Sequence, residues 1–106
     1  MTRTGVSAHF SAAHREPGTS YYHGHTWEVT AWFPNSTCDA LALQSRLRSE
    51  LRRFDHKTLP DELTRGEVLA KEIGEALDGC AEVLIARKLE GIFAQWTLDI
   101  RLAEVG

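Results

Sequence analysis

The chain has little cysteine, little proline and no long apolar run, and each shortage removes a class of protein. Two cysteines in 106 residues, Cys38 and Cys80, are too few for a disulfide scaffold. Both sit beside expected helix ends and read as free thiols, buried or partly buried. No apolar stretch is long enough to span a membrane, and the start, Met-Thr-Arg-Thr-Gly-Val-Ser, has no apolar signal core. A cytoplasmic location is the expectation that follows. Without a secretion signal, Asn35-Ser36-Thr37 carries no weight as a glycosylation acceptor. The net charge of −3 lacks the basic excess of a nucleic-acid surface. There is no internal repeat, no low-complexity tract and no linker rich in Pro, Gly or Ser.

What is present is ordinary for a soluble globular protein, with 42% hydrophobic and 25% charged residues. The length predicts one domain over residues 1–106. Its core would be small, and assembly into oligomers would bury more surface.

Periodicity gives the order of elements. Thr4 to His14 reads as a strand, and Arg15 to Tyr22, with Pro17 and Gly18, as a loop. From His23 to Phe33 the chain alternates. Trp27, Val29, Ala31 and Phe33 share the parity of His23 and His25, and Glu28 and Thr30 take the other face. Asp39 opens a helix whose stripe is Leu43, Leu47, Leu51 and Phe54. Thr64-Arg65-Gly66-Glu67 reads as a capping box for a second helix with Leu69, Ile73, Ala76 and Leu77 on its apolar face, and Gly79 reads as its stop. Glu82 to Leu89 forms a third strand. Ile92 to Leu102 forms a fourth, with Ile92, Ala94, Trp96, Leu98, Ile100 and Leu102 on a buried face. Glu90-Gly91 makes the turn between them. The order β-β-α-α-β-β predicts an α+β fold, an antiparallel four-stranded sheet with both helices on one face.

Three histidines carry the chemistry. His23 and His25 lie two apart on a strand and so face the same way. His14 ends the preceding strand, which can lie beside them. Three imidazoles without a thiolate or carboxylate would leave a zinc ion an open coordination position, which is the catalytic pattern rather than the closed structural one. His9 has the opposite parity to His14 and reads as a surface histidine. Asp55-His56 follows the first helical stripe. A histidine with a pKa of about 6.5 can act as a base near neutrality, and a carboxylate can orient it. An isolated Asp-His at a helix end is more often a polar terminus. Glu90 reads either as a solvated turn residue or as a carboxylate that clamps two N–H donors of a planar heterocycle. The Arg46, Arg48, Arg52 and Arg53 group reads as a solvated helix face.

Together these pieces resemble the 6-pyruvoyl-tetrahydropterin synthase and 6-carboxytetrahydropterin synthase family, from Phe10 to Trp96. Phe10-Ser11-Ala12-Ala13-His14 and His23-Gly24-His25 are similar to its two zinc segments. Phe54-Asp55-His56-Lys57 is similar to its catalytic Asp-His, Thr64 to Ala70 to its second helix start, and Ala94-Gln95-Trp96 to its last strand. The resemblance implies the tunnelling fold and a ring, commonly a homohexamer, with active sites between subunits. It implies zinc on His14, His23 and His25, catalysis by Asp55 and His56, and substrate binding by Glu90. The partner would be a small pterin-like molecule, with neither nucleic acid nor membrane. Two positions depart from the family pattern. Thr19 stands where the family has its catalytic cysteine, four residues before His23. The family's usual spacing from Ala94 reaches Lys88, and Glu90 takes the anchoring role only in a hairpin two residues shorter. The expectation is a zinc-dependent lyase or cyclase. Its alternatives are an authentic synthase with another base (Tyr21, Tyr22 or Glu16) and a ligand-binding member without catalysis.

Overall fold

A computed structural model describes residues 2–15 and 18–98. Strand β1 (Arg3–Arg15) pairs antiparallel with β2 (Tyr22–Pro34) over thirteen residue pairs. Helix α1 (Ala40–Leu51) and helix α2 (Gly66–Ala76) follow, then strands β3 (Glu82–Arg87) and β4 (Ile92–Thr97). The sheet order is β1-β2-β3-β4, antiparallel throughout. This is the expected element order, with two short 3₁₀ turns added at Asp61–Leu63 and Lys88–Glu90.

Alternation decides which face is covered. Val6, Ala8, Phe10, Ala12 and His14 of β1 are buried, whereas Ser7 and His9 between them are exposed. The register sets Val6, Ala8 and Phe10 against Ala31, Val29 and Trp27 of β2, and Phe33 lies on the same buried face. Leu43, Leu47 and Leu51 of α1 and Leu69, Ala70 and Ile73 of α2 join the same cluster, so both helices cover one face of the sheet. Burying each of these leucines stabilises the fold by about 1.5–3 kcal/mol.

Four local expectations need correction. Helix α1 ends at Leu51 rather than at Asp55-His56, and Phe54 reaches the core from the following turn, with its ring centroid 5.7 Å from that of Phe10. The capping box does not form. Arg65 is the N-cap residue, so Thr64 stands one position too early to cap, and its hydroxyl turns back to donate to the Asp61 carbonyl at 2.9 Å. Cys80 is buried as expected, its thiol pKa pushed up by burial, but Cys38 is exposed on the connection after β2. The inner face of β4 is only half covered. Ala94 and Trp96 pack on the core, while Ile92 and Leu98 are 48% and 41% exposed. Strand β4 lies at the sheet edge, and α2 reaches only its middle. Ile100 and Leu102, also assigned to that face, lie outside the described residues.

The fit of α2 on β4 depends on two positions without side chains. A Cβ on Gly66 would meet the Ala94 Cβ at 3.0 Å, and one on Gly74 would overlap the Trp96 ring. In an exposed helix, Gly→Ala stabilises by about 1 kcal/mol through propensity. Overpacking a bulky indole costs about 1–3 kcal/mol and wins here. Gly74→Ala should therefore lower the urea unfolding midpoint, and an equal or higher midpoint would show that the Trp96 ring yields freely.

Candidate metal centre

The β1–β2 register builds the site. His14 stands directly across from His23, and His25 stands across from Ala12, whose small side chain leaves room beside it. All three imidazoles therefore fall on the helix-covered face. Their ring centroids lie 5.0 Å (His14–His23), 4.6 Å (His14–His25) and 5.1 Å (His23–His25) apart. Beneath them Trp27 meets His25 edge-on at 5.5 Å and stacks on Phe10 at 5.1 Å, which joins the cluster to the core. His14 is 4% exposed and is the buried polar residue of the described core.

One nitrogen from each histidine can be chosen so that all three lie within 4.8 Å of one another. A tetrahedral zinc with Zn–N bonds of about 2.0–2.1 Å would set its imidazole nitrogens about 3.4 Å apart. Ring rotations on binding would have to close that difference. The buried His25 Nε2 has no hydrogen-bond partner among the described residues, as a nitrogen reserved for a metal would not. The three residues could thus hold a metal ion, and the donor set fits zinc.

On the far side of His25 the sheet opens. The β2–β3 ladder runs from Trp32↔Glu82 to Glu28↔Ala86, and beyond Ala86 the chain soon turns into the Lys88–Glu90 loop. Glu90 reaches across the gap, with Oε1 2.7 Å from His25 Nδ1. Its Oε2 lies 2.5 Å from Arg87 Nε, an ion pair without hydrogen-bond alignment. A cleft of about 540 Å³ lies here, lined in part by His25, Glu28, Arg87, Lys88 and Glu90. Lys88 Nζ sits 2.8 Å from Glu28 Oε1 across the mouth. His9, Ser11, Thr26 and Glu28 line it from the helix-free face, so the cleft opens mainly on that side, and the exposed His9 stands away from the three imidazoles, as its parity requires.

Asp55 and His56 lie elsewhere, along the free edge of β1. The Ser11 amide donates to Asp55 Oδ1 at 3.0 Å, and the His56 amide donates to the Ser11 carbonyl at 2.6 Å. Ala13 then binds the Lys57 carbonyl and the Leu59 amide through its own amide and carbonyl. Asp55 Oδ2 lies 3.0 Å from His56 Nδ1, so the adjacent side chains do meet. His56 has φ 58° and a side chain 85% exposed, so its ring points away from its own core. Neither residue lines the cleft beside His25. Sequence reasoning found these residues but missed two features. Ser11 is the acceptor and donor that pins the Asp-His turn, and Arg87 is the cation behind Glu90. Ser11 carries no sequence signal, because its pairings exist only in the fold, whereas Arg87 stands three residues before Glu90 and that opposite charge was a local signal.

Both thiols are remote. The Ala81 amide beside Cys80 binds the Trp32 carbonyl. Trp32 lies about 30 Å along β2 from His23 at strand rise. Cys38 follows the same distant end.

The Ser11 amide, and after it His56, holds the Asp55 carboxyl below its usual pKa. A depressed carboxylate pKa contributes stability above the unfolded value, and that stability is lost as pH falls through the folded value. Asp55→Ala should therefore be less stable than the parent at pH 7. The gap should narrow as pH falls below about 4, the ordinary aspartate range. A gap that stays constant across urea titrations from pH 7 to the acid limit would contradict this assignment.

The chain matches no family model and no curated protein.

Proposed function

We propose that the chain is a zinc-dependent lyase or cyclase related to the tetrahydropterin synthases, built on the tunnelling fold and assembled into a homo-oligomeric ring in the cytoplasm. The observation that carries this reading is the convergence of His14, His23 and His25 from a single strand pair. An all-imidazole set is neutral, and a zinc ion bound there would polarise a substrate carbonyl or hydroxyl and acidify the adjacent C–H or O–H.

The chain's own residues divide the remaining work. The cleft beside His25 is large enough for a small heterocycle and carries polar groups of both signs at Glu28 and Lys88. Trp27 and Phe10, both buried, pack beneath the imidazoles on the helix-covered face and tie them to the core. His56 moves the proton. Asp55 accepts from its Nδ1, which leaves Nε2 to meet a substrate. The outward direction of His56 supports a site completed between subunits, in which the Asp-His pair of one chain serves the histidines of another. No thiol stands near the imidazoles to replace the base that Thr19 lacks, so the proton-transfer burden falls on His56. The expected products are those of elimination, carbonyl–hydroxyl rearrangement or ring closure on a pterin-like or diverged small molecule.

Purified protein should carry about one zinc per chain by elemental analysis. A His23→Ala, His25→Ala double variant should lose it, and retention of stoichiometric zinc would remove these ligands. With dihydroneopterin triphosphate as first substrate, His56→Ala should lower turnover about 10²–10⁴-fold while leaving zinc content unchanged. Undiminished turnover would exclude His56. Turnover that instead falls on substitution of Tyr21 or Tyr22, which are exposed beside His23, would favour an authentic synthase with a tyrosine base.

A further inference from the structure

We infer that Glu90 is a positioning residue for His25, one that fixes the imidazole for metal binding, rather than an anchor for substrate. The inference rests on the metal-centre reading above and assigns the carboxylate that faces it. Glu90 Oε1 lies 2.7 Å from His25 Nδ1. An ionised carboxylate only accepts, so the proton of the neutral ring must sit on Nδ1. The lone pair then belongs to Nε2, the nitrogen that is buried without a hydrogen-bond partner among the described residues. One contact thus selects both the tautomer and the ring orientation that a metal needs.

The local backbone explains how an exposed turn residue does this. Strand β3 ends at Arg87, the Lys88–Glu90 turn lifts the chain, and Gly91 closes it at φ 70° with its amide donating to the Lys88 carbonyl at 3.1 Å. Glu90 is carried back over β2 at the stretch where the β2–β3 ladder has ended. Its second oxygen is held by Arg87 Nε at 2.5 Å. Both oxygens are therefore engaged within the chain, and a bidentate clamp on the N–H groups of a heterocycle would require breaking both contacts. Because Arg87 already offsets the carboxylate charge, the contribution of Glu90 is orientation more than charge. An uncharged side chain that keeps the acceptor should preserve much of it.

The test is a zinc titration of metal-stripped, substrate-free protein against a chromophoric chelator, paired with the visible spectrum of the cobalt(II) form. Glu90→Ala should bind zinc about 10–100-fold more weakly than the parent and should shift the cobalt bands. Glu90→Gln should recover most of the affinity and the parental spectrum. Far-UV circular dichroism of the metal-free proteins checks that each variant is folded. Because Glu90 is exposed in a turn, both are expected to be. Parental affinity and an unshifted cobalt spectrum in Glu90→Ala would overturn the inference while leaving the metal centre standing, since a substrate anchor has no effect when substrate is absent. A parent protein that takes up neither metal would overturn the metal-centre reading itself, and the inference with it.

Discussion

The pairing register of β1 and β2 is the constraint on which the rest depends. A strand alternates its faces, so a slip of one residue would carry every side chain of β1 to the opposite side. In the observed register, Phe10 stacks on Trp27, Ala12 makes room for His25, and His14 meets His23. The hydrophobic pairs farther along the ladder stabilise this register. The three histidines share it at little cost, because only His14 among them is fully buried. Core packing and the candidate metal centre are two readings of one alignment.

The free edge of β1 is handled by the same economy. An unpaired strand edge invites association with other chains. Here the segment after α1 covers part of it, through Asp55 and His56 at Ser11 and through Lys57, Thr58 and Leu59 at Ala13. The left-handed backbone at His56 is the conformational cost of that path, and the bonds to Ser11 on either side of the turn hold it. The cover also fixes the Asp-His pair relative to His14, three residues farther along β1 from Ser11. The side chain of His56 is left in solvent, directed at whatever approaches from outside the chain.

Much of this could be read from the residues alone, for definite reasons. The alternation through Trp27, Val29, Ala31 and Phe33 and the leucine stripe of α1 follow from burial, which has a fixed period. The same-face placement of His23 and His25 is a strand property, and His14 joined them because β1 and β2 pair along their whole length. What escaped depends on competition between neighbours. Thr64 reads as the cap of α2, but the preceding 3₁₀ turn delays the helix start by one residue and the Thr64 hydroxyl donates to the Asp61 carbonyl instead. The inner face of β4 was read as buried from its pattern, but pattern does not say how far α2 extends over an edge strand. Glu90 was legible as a residue of interest and not in its contacts, because its partners come from β2 and from the last residue of β3.

The central claim is that three imidazoles from one strand pair hold a catalytic zinc. Zinc K-edge X-ray absorption of the purified protein tests it most directly. The account predicts a first shell of nitrogen and oxygen at about 2.0–2.1 Å, with imidazole outer-shell scattering and no sulfur. A sulfur shell at about 2.3 Å, or protein that takes up no zinc, would contradict it.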